Sequence, residues 1–335
     1  MLRRLIMMSA LFAQTAVASA ADFYGGKVIT IVVGAPAGAI YDLSARVFGR
    51  HLADHIPGHP SIIIQNMPGA AGLRAANWLY NVAPRDGTVL GLSLDNILLN
   101  PFLTPSETKY RSDRFQWIGI ADRPSRVLYA WGASNVRSIE DAKQREVLTG
   151  ITAPGTSTHL YPSLANAFIG THFKKVSGYE GAGGLNIALE RGEIEAVGAN
   201  SWSNIKSTKP DWIEQGKIRP LFQVTTSRDE DMPNVPTLLE LVTSEKGRRV
   251  VEMVTRSEIG FFLAAPPDTP ADRVSDLCKA FKAMLETTAY RADATSINLG
   301  SHAILGEDLQ RIATQISQTS ADTAAAFVQA VTEKE

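Results

Sequence analysis

Three short glycine-bearing segments hold the residues best placed to do chemistry. They are Gly34-Ala35-Pro36-Ala37-Gly38-Ala39-Ile40-Tyr41-Asp42, Ala153-Pro154-Gly155-Thr156-Ser157-Thr158-His159 and Tyr179-Glu180-Gly181-Ala182-Gly183-Gly184. Each follows a short apolar run and precedes a helical pattern. Each can therefore aim backbone N–H groups at an anion, and the second can add hydroxyls. The dipole at a helix N-terminus contributes roughly 0.3–1 kcal/mol per exposed site, and more when water is excluded. Any one of these segments alone reads as an ordinary α/β turn. Three on one chain point to a small acidic ligand.

Other side chains invite sharper readings that the spacing does not support. Ser157 and His159 could form a nucleophile pair, but no G-x-S-x-G elbow surrounds the serine, and i, i+2 neighbours do not meet on a helix. No catalytic residue is assigned, and the chain is not expected to be an enzyme. His51 and His55 stand four apart with His59 beyond Pro57, yet no third ligand accompanies them, so a solvated helix face is the better reading and no metal or cofactor is expected. Asp42 opens a helix, where its carboxylate is expected to cap N–H groups rather than compete with an incoming acid. Cys278 is the only cysteine; it cannot form an internal disulfide and is expected to fill core space. Trp202 is the tryptophan expected to approach a binding cleft.

The elements that must position these loops alternate along the chain. Short apolar or β-branched runs at Lys27–Val33, Ser61–Gln65 and Val89–Leu94 enclose helical patterns at Tyr41–His55 and Leu73–Val82, a βαβαβ order that argues for a parallel sheet covered on both faces. A second set follows. Its strands are expected at Trp117–Ala121, Val127–Trp131, Val147–Ala153, Phe173–Val176, Ile194–Gly198 and Ile218–Thr225, with helices at Leu160–Phe168 and Gly184–Arg191. The strand Ile259–Ala264 and two long helices, Ala271–Leu285 and Glu307–Val331, close the chain; the last places Leu309, Ile312, Ile316, Phe327 and Val331 on one stripe. No linker separates the halves, which fits two α/β lobes joined by crossing strands, with the ligand between them at strand carboxyl ends.

Met1–Ala20 reads as a secretory leader: Arg3 and Arg4, an apolar core over Leu5–Val17 interrupted by Gln14, and Ala18-Ser19-Ala20 as the cleavage site. That core is too short to span a bilayer. The full chain is 44% hydrophobic and 20% charged, and loss of the leader removes two of its 33 basic residues against 34 acidic ones, so it carries no nucleic-acid footprint. About 315 residues suit two lobes better than one.

A fourth strand-to-helix segment, Asn66-Met67-Pro68-Gly69-Ala70-Ala71-Gly72, completes a longer pattern. Pro36-Ala37-Gly38 with Asp42-Leu43-Ser44-Ala45-Arg46, then this segment, then Pro84-x-Asp86-Gly87, resembles the solute receptors of tripartite tricarboxylate transporters. The likeness continues through Gly155-Thr156-Ser157-Thr158-His159-Leu160, Tyr179-x-Gly181-x-Gly183, Gly192-Glu193-Ile194-Glu195, Pro233-Asn234-Val235-Pro236-Thr237 and Ala264–Ala271. It spans essentially the whole chain after the leader.

The resemblance implies a two-lobed, type II-like periplasmic binding protein that closes about a hinge on a small carboxylate and hands it to membrane subunits. It implies that Ala37, Gly38, Ala39, Ile40 and Tyr41 hold a carboxylate through main-chain groups and water. Thr156, Ser157, His159, Gly181 and Ala182 would close from the other lobe. The chain departs from the family in carrying Ala39 for a second glycine, Tyr41 for a threonine and Glu180 for a lysine. Ala39 is expected to limit positive φ. The expected division is residues 22–121 and 254–335 in one lobe and 122–253 in the other, in a monomer. A ligand-sensing co-receptor for a two-component system and an exported hydrolase or lyase are the alternatives.

Overall fold

The computed structural model describes residues 23–92, 95–300 and 302–332; the leader and Leu94 of the third expected strand lie outside them. Two sheets organise the chain. The first has the order β11-β4-β10-β3-β1-β2 and the second β7-β6-β8-β5-β9. In the first, β1 (Val28–Val33) pairs in parallel with β2 (Ser61–Asn66) and β3 (Val89–Leu92). β4 (Gln116–Ile120), β10 (Phe262–Ala265) and β11 (Ile304–Leu305) add antiparallel. In the second, β6 (Val147–Gly150) is parallel to β7 (Phe173–Val176) and β8 (Ala196–Ser201), while β5 (Arg126–Trp131) runs antiparallel to β8 and β9 (Ile218–Val224). The expected parallel core is present in both. The sheets are mixed because the chain crosses from β4 to β5 and returns into β10, entering each sheet against its parallel strands.

Side-chain alternation explains how both faces of each sheet are covered. Along β1, Ile29, Ile31 and Val33 join the cluster of Phe48, Leu277 and Phe281, whereas Val32 faces Leu73 and Leu79 on the opposite side. The helices involved are α1 (Ile40–Leu52) and α2 (Leu73–Asn81), with α7 (Ala271–Glu286) and α8 (Thr288–Ser296) beside α1. Along β5, Val127 and Tyr129 pack with Leu185 and Trp212, while Leu128 and Ala130 share a cluster with Leu160 and Phe222. Here α3 (Ser157–Ile169) covers one face and α4 (Gly181–Glu190) and α5 (Trp202–Thr208) the other. Trp117, Trp202 and Trp212 are all buried.

The terminal helical stripe is split. α9 (Gly306–Ser317) ends and α10 (Ala321–Thr332) begins after Ser320, whose Oγ accepts the Thr323 N–H at 3.3 Å. A serine accepting from the residue three positions on is a helix start signal, and the continuous apolar stripe conceals it. α10 lies against α3 and α6 (Glu245–Arg256), so the C-terminal helix braces the helices around the second sheet. Cys278, expected in the core, is half-buried at its edge with Sγ 3.8 Å from the Trp117 carbonyl, and desolvation pushes its thiol up to about 11.

Candidate functional site

β1 ends at Val33 and the chain turns through Pro36–Ala39, where the Ala39 N–H donates to the Pro36 carbonyl at 3.2 Å. Gly38 holds φ +82°, a left-handed conformation that glycine adopts without penalty. Ala39 then caps α1 with φ −68° and ψ 158°. The expectation that Ala39 would be confined by its Cβ is therefore corrected: the positive φ falls one residue earlier, and Ala39 is ordinary extended backbone.

Asp42 departs from its expected role in an instructive way. Its side chain does not cap the first N–H groups of α1. It is buried and reaches backward: Oδ2 accepts the Gly38 N–H at 2.9 Å and Arg46 Nε at 2.9 Å, and Oδ1 accepts Arg46 Nη2 at 3.0 Å and Asn66 Nδ2 at 3.0 Å. Asn66 also donates to the Ala35 carbonyl at 3.0 Å. Burial opposes ionisation of Asp42, but the bonds from Arg46, Gly38 and Asn66 outweigh it and hold its carboxyl below the ordinary range. The carboxylate is thus the anchor of the whole turn. Gly38 serves it by conformation, because its own N–H is already engaged.

The second loop is tied by hydroxyls. Thr158 Oγ1 accepts the Thr152 N–H at 3.0 Å and lies 2.7 Å from Thr156 Oγ1, which donates to the Ala153 carbonyl at 2.7 Å. His159 Nδ1 accepts the Gly155 N–H at 3.3 Å, fixing the ring to its own loop. Ser157 opens α3, whose Thr156 cap makes no side-chain capping bond. α3 rests on β8 at Gly198. A Cβ there would stand 2.0 Å from the Thr158 carbonyl, so only glycine lets the helix end lie so close. Gly198→Ala should push the helix N-terminus off the strand and cost about 1–3 kcal/mol, as overpacking does; a chemical-denaturation midpoint unchanged from wild type would refute that account. The third loop enters α4 at Gly181, with Glu180 at the cap position making no side-chain bond to the helix.

Topology gathers the loops of each sheet at one end. The loops after β1, β2 and β3 leave one end of the first sheet, since the three strands are parallel, and those after β6, β7 and β8 leave one end of the second. Asn96, following β3, donates through Nδ2 to the Gly155 carbonyl of the second loop. That bond ties the loop after β3 to the loop after β6.

The crossing segments run together: the Ala121 N–H donates to the Phe261 carbonyl at 3.1 Å and the Trp202 N–H to the Ser125 carbonyl at 2.9 Å. Beside them lies a cavity of about 570 Å³ walled by Asp122, Arg123, Ser125, Trp202, Lys206 and Glu258, among others, and by none of the ten loop residues. Trp202, expected near the cleft, borders this cavity, and its indole N–H is buried with no partner among the described residues. Burial pushes the Asp122 carboxyl up, against the N–H groups of His302 and Gly300. Sequence reasoning passed over this region, whose residues match no motif.

His51 is not on a solvated face. Its Nε2 lies 2.9 Å from Asp293 Oδ2, which also accepts from Arg50, so the ring belongs to an ion cluster between α1 and α8. Among the described residues no group of three or more His, Cys, Asp or Glu is placed to hold a metal ion.

Two helix-covered mixed sheets joined by two crossing segments define a two-lobed solute-binding fold. The sequence profile of the tripartite tricarboxylate transporter family receptors matches residues 45–329, and the chain belongs to that family. The match begins just beyond the Gly34–Asp42 loop, whose reading rests on the geometry above. BugT of Bordetella pertussis is 28% identical over 250 residues, 71% of this chain and 74% of its own. A TctC solute-binding protein from Polaromonas shares the fold with a TM-score of 0.71 at 21% identity, covering 90% of this chain and 98% of that one. The R. palustris protein Rpa4515, solved with adipate, superposes with a TM-score of 0.65 at 22% identity over 90% and 97%.

Proposed function

We propose that this chain is an exported receptor that captures a small carboxylate between its lobes and delivers it to the membrane subunits of a tripartite transporter. The observation that carries the reading is the Asp42-anchored turn at the N-terminus of α1, on the sheet whose third strand sends Asn96 to the Gly155 carbonyl of the other lobe. The first turn of a helix offers N–H groups without intrahelical acceptors and a positive dipole end. A carboxylate suits both, and the adipate held by Rpa4515 is a ligand of that class. Closure follows because a ligand touching both loop sets binds the closed state better and so shifts the equilibrium toward it.

We read residues 22–121 and 254–335 as one lobe, with its α10 reaching across to pack on α3 and α6, and 122–253 as the other, with hinges near Ala121–Ser125 and Ser257–Phe261. The leader over residues 1–20 directs the chain to the periplasm, where it works as a monomer without cofactor and without turnover of its ligand. The test uses the chain expressed with its leader and recovered from the periplasm. Its mass should begin at Ala21. Heating it with mono-, di- and tricarboxylates in turn should raise its midpoint with at least one acid, since ligand at a hundredfold over Kd adds about 2.7 kcal/mol. A protein that no carboxylate stabilises is not this receptor.

A further inference from the structure

The wall of the proposed site on the first lobe is aromatic, and its charges do not suit a second carboxylate. Tyr41, in the first turn of α1, and Phe261, on the returning crossing segment, have ring centroids 5.1 Å apart with planes inclined at 47°. Both are partly exposed and both pack on the cluster of Phe48, Ile118 and Phe281, which fixes their backs while leaving ring surface open. Because the Phe261 carbonyl is bonded to Ala121, this pair stands where the helix N-terminus meets the hinge. Ile40 and Leu43, three apart on α1, are 40% and 38% exposed, large apolar side chains left open at the same helix end. The nearest cation on α1, Arg46, is held by Asp42, and the loop entering α4 carries the exposed carboxylate of Glu180. None of the ten loop residues is a lysine or arginine.

Resting on the receptor reading, we propose that this site selects a monocarboxylate with an aromatic body, whose carboxylate meets the N-terminus of α1 and whose ring lies against Tyr41 and Phe261. Aromatic rings prefer offset or edge-on neighbours at about 4.5–7 Å between centroids, a geometry that an inclined pair with open surface can extend to a third ring. A di- or tricarboxylate would bring its second charge toward an apolar wall and Glu180, and a desolvated charge without a partner is costly.

The experiment is calorimetric titration of the wild-type protein with phenylacetate, malate, citrate and glutamate, repeated on Tyr41→Ala, Tyr41→Phe and Phe261→Ala. Phenylacetate should bind most tightly. Tyr41→Ala should weaken it at least tenfold, with Tyr41→Phe within threefold of wild type. Phe261→Ala provides the second reading of the wall should Tyr41→Ala fail to fold. Tighter binding of malate, citrate or glutamate, or phenylacetate affinity indifferent to both alanine substitutions, overturns the aromatic assignment and leaves the receptor standing. Absence of binding by every acid overturns both.

Discussion

Asp42→Ala should unhinge the first loop, lowering stability by about 3 kcal/mol and ligand affinity by at least a hundredfold. The wild-type carboxylate is 1% exposed and accepts from Gly38, Arg46 and Asn66 at 2.9–3.0 Å. Removing one partner of a buried charge network costs about 3–5 kcal/mol. The lower end applies here because the Arg46 side chain is 47% exposed and can turn to water. Gly38 is exposed as well, and the half-buried Asn66 amide keeps its bond to the Ala35 carbonyl. A hundredfold corresponds to about 2.7 kcal/mol, so affinity falls about as far as stability: Asp42 does not touch ligand in this account but holds the turn that does.

Acid separates this from simple loss of packing. A carboxyl held below its unfolded value of about 3.9 contributes stability that is complete above that pH and is lost as pH falls through the lower folded value. The gap between wild type and Asp42→Asn in thermal midpoint should therefore be constant near neutrality and narrow below about pH 4. A gap that ignores pH would show that ionisation of Asp42 is not what anchors the loop.

How much of this the sequence discloses depends on the range of the interactions. The parallel strands β1, β2 and β3 and the helix α1 are legible because local periodicity and turn residues fix them, and Phe173–Val176 is bounded as expected. The family motifs mark Asn66 and Asp42 individually. That they meet across 24 residues, and that both serve the turn at Gly38, is a tertiary fact without local signal. The same holds for Tyr41 against Phe261 and for His51 against Asp293, each pair joined across more than two hundred residues by the sheet and its helices. The break before α10 is the converse case: Ser320 is a local signal, but an uninterrupted apolar stripe outweighs it when the chain is read alone. The hinge cavity shows a third limit. Its lining comes from crossing segments, α5, the loop after β9 and the loop after α8, so its chemistry exists only once both lobes are assembled.

Gly38→Val should abolish measurable binding while leaving a folded protein. At φ +82° a β-branched residue is strained, and the left-handed conformation costs any L-residue roughly 1–2 kcal/mol. A Cβ at this position meets nothing within 4 Å, so no collision adds to that figure and the fold should survive. The strain is relieved most readily by rotating the turn to negative φ. That rotation carries the Gly38 N–H away from Asp42 and redirects the peptides leading into α1. Valine would also place its methyl groups in the open space beside the loop, where a ligand approaching the helix N-terminus must pass. Gly38→Ala tests the conformational part alone, and should lose about 1 kcal/mol of stability and roughly tenfold in affinity. Calorimetric titration with an acid that stabilises the wild type distinguishes the contributions: valine much worse than alanine places the ligand against the loop, equal losses make the turn geometry the sole determinant, and full affinity in both moves the binding site away from Gly38.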